Sequence, residues 1–214
     1  MMKPDKLQRH FDDIVGYFER TAPDADSELV YRNPFELLVA VMLSAQCTDK
    51  RVNMVTPPLF ARLGTPELMA AATVDEILQL IKSVSYPNSK AAHLSAMAKM
   101  LVADFQSVVP DNLEELQKLP GVGRKTANVM LAVAFGKPAM PVDTHVFRVS
   151  QRLGLTRNAK TPLDTEQQLV AHIAKEKLSK AHHWLLLHGR YVCTATKPHC
   201  AECGLASLCP SNKQ

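Results

Sequence analysis

Four of the five cysteines of this 214-residue chain lie within a single short segment, and this feature constrains the fold more than any other. The segment "CTATKPHCAECGLASLC", from Cys193 to Cys209, has the spacing C-x6-C-x2-C-x5-C. Four thiolates this close together are able to surround one metal centre, and the segment has little apolar material of its own. Metal ligation is therefore expected to supply the folding free energy of an irregular C-terminal loop.

Two kinds of metal centre suit four cysteines. Four-cysteine zinc sites are common, but typical zinc ribbons pair two C-x2-C knuckles across a longer loop. This segment has one such knuckle with unequal flanks, so the spacing favours an iron-sulfur cubane and leaves zinc as the alternative. The fifth cysteine, Cys47, lies far away in sequence at the end of an apolar stretch, where it is predicted to be a small apolar filler.

The composition of the chain is that of a globular protein. Hydrophobic residues make up 46% and charged residues 21%, without a block of like charge, which argues against disorder. The start, "MMKPDKLQRHFDD", lacks the apolar core of a signal peptide, and the most hydrophobic stretch, residues 35–46, is too short to span a bilayer. We therefore expect a cytosolic or nuclear protein with no membrane partner. The net charge of +4 does not by itself indicate nucleic acid.

Helical periodicity recurs along the chain, and no stretch shows the sustained alternation of a β-strand. An amphipathic helix is predicted over residues 5–21, and residues 35–46, preceded by the N-cap Asn33, lack a polar face and predict a helix buried on all sides. We predict an all-α fold. Further helices are predicted to begin at Thr65 and Thr73, and to cover residues 88–105, 111–119, 124–136 and 144–154, and roughly 164–176 and 180–191.

The string "LPGVGRKTANV" at residues 119–129 predicts a tight hairpin between two helices. Gly121 and Gly123 can adopt backbone angles that other residues avoid. Exposed amides beside Arg124 and Lys125 favour an anion, and the absence of a preceding strand and of the G-x-x-x-x-G-K-[ST] spacing excludes a P-loop. Amides in such a hairpin suit a single nucleic-acid phosphate, a contact that does not depend on sequence.

Two ionisable residues near this hairpin have a structural and a chemical interpretation. Lys125 lies in the first turn of a helix, where the helix dipole, Arg124 and desolvation all disfavour an ammonium ion. A neutral amine is a nucleophile that forms Schiff bases, whereas the alternative is a lysine that contacts phosphate. Asp143, in "MPVDTHVFRV", is either an ordinary N-cap or a carboxylate facing the lysine across an interhelical cleft.

Taken in order, these motifs resemble the endonuclease III family of DNA glycosylases. The resemblance rests on "ELLVAVMLSAQCTD", "LPGVGRKTAN", "VDTHVFRV", "HHWLLLHGRYVC" and the cysteine spacing, and it covers nearly the whole chain. It implies a two-domain all-α fold. The six-helix domain would span residues 27–137, with the helix-hairpin-helix at about 112–136. The iron-sulfur domain would combine residues 1–26 and 138–214, with a [4Fe-4S] cluster in the loop 193–209.

The resemblance also implies the chemistry. Lys125 would be the Schiff-base nucleophile and Asp143 the catalytic carboxylate of a bifunctional base excision repair enzyme. Such an enzyme is a DNA N-glycosylase for oxidised pyrimidines and an AP lyase that cuts 3′ to the abasic site. Its partner would be double-stranded DNA with damaged pyrimidines or abasic sites, and the enzyme would be a monomer in the bacterial cytoplasm, at the nucleoid. The cluster ligands would be Cys193, Cys200, Cys203 and Cys209.

DNA contacts follow from the same resemblance. Gln46 matches the polar residue that fills the gap left by a flipped base. In "SVSYPNSKA" the family commonly has a glycine and then a bulky wedge, whereas this chain has Ser85, Tyr86 and Pro87, so Tyr86 is predicted to be the wedge. The remaining predicted DNA contacts are Gly121, Gly123, Arg124, His145 at the border of the lesion pocket, and Lys197 inside the first cysteine loop.

Three other readings remain as alternatives. Adenine glycosylases of this fold carry an acid near "VMLSAQ" and lack the lysine, so this branch is disfavoured by the residues present. A monofunctional mismatch glycosylase without the lyase lysine is disfavoured for the same reason. A non-catalytic helix-hairpin-helix module with a structural metal belongs to a different class, and the presence of both Lys125 and Asp143 argues against it.

Overall fold

The structure of the chain, a computed structural model, describes residues 4–212. Within this range there are eleven α-helices and no β-strand, so the predicted all-α class is confirmed. The chain divides into two compact units. The hairpin unit consists of residues 27–136, and the cluster unit consists of residues 1–26 and 137–214. None of the described helices is both long and apolar enough to cross a membrane.

The hairpin unit is built around α2, whose residues Phe35–Leu43 are all buried. The predicted N-cap is confirmed, because Asn33 Oδ1 accepts a hydrogen bond of 3.0 Å from the backbone N–H of Glu36. An apolar helix without a polar face is stable only when other elements cover it on every side, and α2 is covered in this way. The helices of this unit are α2 (Pro34–Ser44), α3 (Asp49–Leu63), α4 (Pro66–Ala71), α5 (Val74–Ile81), α6 (Pro87–Asp104), α7 (Leu113–Leu116) and α8 (Arg124–Val129).

Helix starts in this unit follow local capping chemistry, whereas one helix was not expected from the sequence. The caps at Thr65 and Thr73 are confirmed, and Thr73 forms a complete capping box with Glu76. Helix α3 was not predicted from the sequence, and it contains Pro57 and Pro58 in its interior. Proline within a helix removes the hydrogen bond to the carbonyl four residues earlier, which is why this stretch was not predicted to be helical.

Of the two helices that flank the hairpin, the first is shorter than predicted, and the second continues nearly as far as predicted. The segment predicted to be helical over residues 111–119 forms α7 only over Leu113–Leu116. After α8, the chain continues as a π-helical turn over Met130–Ala134, and Gly136 follows with φ of 60°. The hairpin loop, residues 117–123, therefore connects the four-residue α7 to a helical run over residues 124–134.

The cluster unit has a separate apolar core, which includes Phe11, Ile14 and Phe18 of α1 together with Trp184 and Leu205. Trp184 Nε1 donates a hydrogen bond of 2.7 Å to the carbonyl of Ala22, so the indole is both packed and satisfied. Two helix boundaries differ from the prediction: the helix predicted at 164–176 ends at His172, and the last helix begins at Leu178. The helices are α1 (Pro4–Thr21), α9 (Thr144–Arg152), α10 (Pro162–His172) and α11 (Leu178–Tyr191).

Candidate DNA-binding and iron-sulfur sites

The hairpin loop is held tightly at Gly121. This residue has φ of 79°, in the left-handed region that favours glycine. A Cβ atom at this position would lie 2.9 Å from Met42 Cε and 2.9 Å from His93 Cβ. Both the backbone angle and the close approach of neighbouring side chains therefore require glycine here.

Gly123 does not use the conformational freedom of glycine. Its φ of −86° and ψ of 174° are ordinary extended values, and an added Cβ would meet nothing within 4 Å. It is the N-cap of α8 and provides no side chain of its own. The space around Gly123 is open, and Arg124 and Lys125 follow it directly with exposed side chains. The structure thus leaves open space at Gly123, and the two basic residues that follow it are exposed.

Three of the predicted DNA contacts border one cavity of the hairpin unit. Gln46, Tyr86 and Gly121 line a space of about 240 Å³ together with residues of α2 and α6. Gln46 and Tyr86 are both non-glycine residues in the left-handed region, with φ of 53° and 55°. Tyr86 has 66% of its surface exposed. Such backbone conformations cost of order 1–3 kcal/mol each and persist only where the surroundings hold them.

Lys90 also lines this cavity and was not singled out from the sequence. It is 8% exposed, and its Nζ donates hydrogen bonds of 2.7 Å to the carbonyls of Leu43 and Ala45. Burial lowers the pKa of Lys90, and the nearby Cys47 partly opposes this shift. A sequence signal did exist, because Lys90 lies four positions before the buried Leu94 and thus on the apolar face of α6.

In the cluster unit, Asp143 is the N-cap of α9. Its Oδ1 accepts a hydrogen bond of 2.8 Å from the backbone N–H of Val146, and the side chain is half-buried. The predicted capping role is therefore present. Lys125 belongs to the hairpin unit and Asp143 to the cluster unit.

His145 lies in the first turn of α9 and contacts its own unit. Its Nδ1 is 3.2 Å from Arg148 Nη2, and its Cβ lies close to Gly189 of α11, where an added Cβ would come within 2.9 Å. Gly189 thus allows α9 and α11 to approach each other closely. The arrangement gives His145 a packing role between the two helices.

Two arginines of α9, which the sequence did not single out, hold the start of the cluster loop, residues 193–209. Arg148 Nη2 donates to the carbonyls of Gly189 at 2.8 Å and Cys193 at 3.2 Å. Arg152 donates to the carbonyls of Thr194 at 2.7 Å and Ala195 at 2.9 Å. Lys197 has an exposed side chain, and its carbonyl accepts a hydrogen bond of 2.6 Å from Thr194 Oγ1. Guanidinium groups therefore satisfy carbonyls that the irregular loop cannot pair internally.

The four clustered cysteines have the donor set for an iron-sulfur centre. All four are half-buried free thiols. Burial raises the pKa of the Cys203 thiol, the backbone hydrogen bond from Leu205 opposes this shift, and the charges of the other three cysteines raise the pKa further. In the described part of the chain, no three His, Cys, Asp or Glu side chains are arranged to hold a single metal ion. Positive charge from a bound cluster would relieve the repulsion among four thiolates.

A buried histidine adjoins the cysteines. His188 Nε2 lies 3.7 Å from Cys203 Sγ, and burial lowers the pKa of His188 to about 4. The imidazole is therefore neutral at neutral pH. Arg152 Nη1 approaches Cys193 Sγ at 3.5 Å, so the sulfurs have neighbouring nitrogen groups as well as apolar contacts. Hydrogen bonds and burial around the sulfurs are the features by which proteins tune such clusters.

Two family patterns match this chain. The pattern described as HhH-GPD superfamily base excision DNA repair protein matches residues 39–175, which is more than half of the chain. The pattern described as the iron-sulfur binding domain of endonuclease III matches residues 193–209, the cluster loop. This match confirms the predicted [4Fe-4S] cofactor, whereas the assignment of the four cysteines as its ligands stays a prediction.

Relatives of similar length support the same assignment. Endonuclease III of Bacillus subtilis (strain 168) is 51% identical over 187 residues, which cover 87% of this chain and 85% of that protein. Endonuclease III of Rickettsia felis (strain ATCC VR-1525 / URRWXCal2) is 49% identical over 196 residues, 92% of each protein. A solved structure of a trapped endonuclease III–DNA covalent intermediate, an estranged-adenine complex, has a TM-score of 0.92 and 44% identity, covering 99% of this chain and 98% of the other. This chain therefore belongs to the endonuclease III family of the HhH-GPD superfamily of base excision DNA repair proteins.

Proposed function

We propose that this protein is a bifunctional base excision repair enzyme. It acts as a DNA N-glycosylase on oxidised pyrimidines in duplex DNA, and as an AP lyase it cuts the strand 3′ to the abasic site. The observation that carries the proposal is Lys125, an exposed amine in the first turn of α8 directly after the glycine hairpin, in a chain of the endonuclease III family. A related protein of this family has been trapped in a covalent intermediate with DNA.

Lys125 supplies the nucleophile. Its Nζ, as a neutral amine, attacks C1′ of an extruded nucleotide, the C1′–N bond breaks, and the bonding electrons leave with the base, which takes up a proton. Opening of the sugar ring gives a Schiff base between Nζ and C1′. Loss of a proton from C2′ then breaks the C3′–O bond and releases the 3′ phosphate by β-elimination. Hydrolysis of the imine returns the lysine.

Asp143 supports this chemistry as a carboxylate. Its Oδ1 is fixed by the hydrogen bond from Val146 N–H, and this bond orients Oδ2. We propose that Oδ2 accepts protons during attack and offsets positive charge on the sugar as the C1′–N bond breaks.

DNA is held by contacts to phosphate and by residues that enter the base stack. The amides of Gly121 and Gly123, with the side chain of Arg124, grip one phosphate, while Lys197 contacts another. Gln46 fills the gap left by the flipped base, and Tyr86 is the wedge. His145 borders the lesion pocket and positions α9 against α11. A damaged, poorly stacked base costs less to extrude, so damage itself contributes to selectivity.

Each of the two units contributes different residues to the proposed reaction. The hairpin unit provides the helix-hairpin-helix and the nucleophile, and the cluster unit provides Asp143 and the [4Fe-4S] domain. The cluster, held by the four cysteines, supplies the folding free energy of the loop that carries Lys197. We further propose that the protein works as a monomer in the bacterial cytoplasm, at the nucleoid.

Borohydride trapping tests the proposal. Wild-type protein mixed with duplex DNA containing an oxidised pyrimidine, or an abasic site, and then reduced is expected to form a covalent adduct on denaturing gels. Lys125→Ala should form none, whereas Lys118→Ala, which removes another exposed lysine at the start of the hairpin loop, should react like the wild type. Absence of an adduct from folded wild-type protein would exclude the lyase mechanism.

A further inference from the structure

We propose that Lys90 is a positioning residue for base extrusion. It holds in one fixed arrangement the two turns that present Gln46 and Tyr86, so that removal of a base from an intact pair depends on it. This inference rests on the proposed function and assigns a role to a buried residue that takes no part in the bond-breaking steps.

The contacts of Lys90 reach both turns. Its side-chain Nζ donates to the carbonyls of Leu43 and Ala45, at the end of α2 and directly before Gln46. Its backbone N–H donates to the carbonyl of Tyr86 at 3.1 Å, the first hydrogen bond of α6. One residue therefore joins two segments that are about forty positions apart in the sequence.

The end of α2 has carbonyls that need such a donor. The last carbonyls of a helix have no intrahelical partner, and a cationic donor at this end also complements the helix dipole. Ala45, the C-cap of α2, leaves the helix with φ of −56° and ψ of 114°, and Gln46 then adopts φ of 53°. Lys90 thus fixes the point at which the chain turns into the strained residue.

Tyr86 needs support for a similar reason. It is the N-cap of α6 in the left-handed region, with φ of 55° and ψ of 50°, and it has no capping side-chain bond. Its ring is largely exposed, so packing of the side chain does not hold the turn. The backbone bond from Lys90 and the ring of Pro87 at the first helical position support this turn.

A fixed turn matters because Gln46 and Tyr86 must enter the stack together. Extruding a paired base costs a few kcal/mol, and side chains inserted into the stack offset that cost only when they are already in place. An ordered pair of turns supplies this pre-organisation. A lesion that is already unpaired costs less to extrude and so gains less from ordered turns. If Lys90 acts by positioning, its removal should therefore slow excision more from a base pair than from an unpaired site.

The experiment compares Lys90→Met with the wild type on two substrates under single-turnover conditions. One is thymine glycol paired with adenine in a duplex, and the other is the same lesion in an unpaired bubble. We expect excision from the paired duplex to slow by about tenfold or more, and excision from the bubble to change by less than about threefold. Lys99→Met removes an exposed lysine of the same helix and should leave both rates unchanged.

A double-mutant comparison adds a readout that loss of stability alone would not move. In a Gln46→Ala, Tyr86→Ala background, Lys90→Met should slow excision from the paired duplex by less than about threefold, because the residues it positions are gone. Equal slowing in the wild-type and double-mutant backgrounds would overturn the inference. So would equal slowing on the paired and bubble substrates, or no slowing at all.

Folding and the proposed function are controlled separately. If Lys90→Met does not fold by circular dichroism and iron content, Lys90→Gln, whose shorter side chain lacks the ammonium donor to both carbonyls, is judged by the same ratio of paired to bubble rates, with the same slowing expected. A wild-type protein that excises the lesion from neither substrate would contradict the proposed function. A wild-type protein that excises from both, with a ratio unaffected by Lys90, would contradict only the positioning role.

Discussion

The hairpin loop and the cluster loop are both irregular segments, but they are held by different forces. The hairpin loop buries Leu119 and Val122, at 2% and 6% exposure, and presses Gly121 against Met42 and His93. Of residues 193–209, all within the described range, only Leu205 is buried. The hairpin loop therefore has apolar contacts of its own, whereas the cluster loop depends on arginine donors and on its metal centre.

Because different forces hold the two loops, we expect them to lose their order under different conditions. A loop that folds by burying leucine and valine loses its order only when the whole unit unfolds. A loop that folds on metal thiolates should lose its order locally, with chelation or oxidation, while the apolar core elsewhere remains. The phosphate contact of the hairpin loop would thus persist as long as its unit is folded, whereas the contact of the cluster loop would depend on the bound metal centre.

Removal of a cluster ligand is expected to have the largest effect. Metal binding at structural thiolate sites contributes on the order of 10 kcal/mol, so Cys203→Ser should abolish iron binding and the hydrogen-exchange protection of residues 193–209. Peptides from the hairpin loop should keep their protection. Cys47→Ser, outside the loop, should retain iron. If the hairpin loop and the cluster loop lost protection together, the proposed independence of the two segments would be wrong.

Substitution of the glycine in the hairpin should come next. Gly121→Ala places a methyl group in the left-handed region, at about 1–2 kcal/mol, and adds overpacking of about 1–3 kcal/mol against Met42 and His93. We expect the free energy of unfolding of the hairpin unit to fall by about 2–5 kcal/mol, measured by urea denaturation.

Gly123→Ala is the matched control for that substitution. It has ordinary backbone angles and open space, so the cost to stability should be about 1 kcal/mol or less. The added methyl group would nevertheless stand on the surface proposed to meet phosphate, so affinity for DNA should fall more than stability does. Equal losses of stability for the two variants would show that the close contacts at Gly121 are relaxed in solution.

The arginine support of the cluster loop should have a smaller effect. Arg152→Met keeps the aliphatic stem but removes the donors to the carbonyls of Thr194 and Ala195. Hydrogen bonds from charged groups contribute about 1.5–3 kcal/mol, and we expect a loss of about 2 kcal/mol in the local stability of the loop. The measurement is the rate of iron release to a chelator, which should rise while the hairpin unit's urea midpoint stays constant. An unchanged rate would assign the order of the loop to the cluster alone.

The parts of this molecule that were predictable from sequence are those that local chemistry determines. The buried helix α2, the caps at Asn33 and Thr73, and the turn at Gly121 follow from apolar patterning, capping side chains and glycine. The spacing of the four cysteines alone predicts a metal centre. Each of these signals is contained within a few residues of the chain.

The parts that the sequence did not predict depend on contacts between distant positions, or depart from the usual residue preferences of a helix. Lys90 bonds to carbonyls 47 and 45 positions away, and Arg148 and Arg152 bond to carbonyls more than 40 positions away. A backbone acceptor has no sequence signature, so only the fold identifies such donors. Helix α3 was also missed, and it contains two prolines, residues that ordinarily exclude a helix interior.

The smallest effect concerns the charges beside the two loops. Binding to undamaged duplex DNA should weaken steeply with salt, because each neutralised phosphate contributes about −0.9 to the slope of log affinity against log salt concentration. Arg124→Ala and Lys197→Ala should each reduce the magnitude of that slope by about 1 if each side chain neutralises one phosphate. After removal of the cluster by Cys203→Ser, Lys197→Ala should no longer change the slope, whereas Arg124→Ala still should, because only the cluster loop loses its order. Fluorescence anisotropy titrations at several salt concentrations measure these slopes, and a Lys197 effect that persists without iron would mean that the loop keeps its position by other contacts.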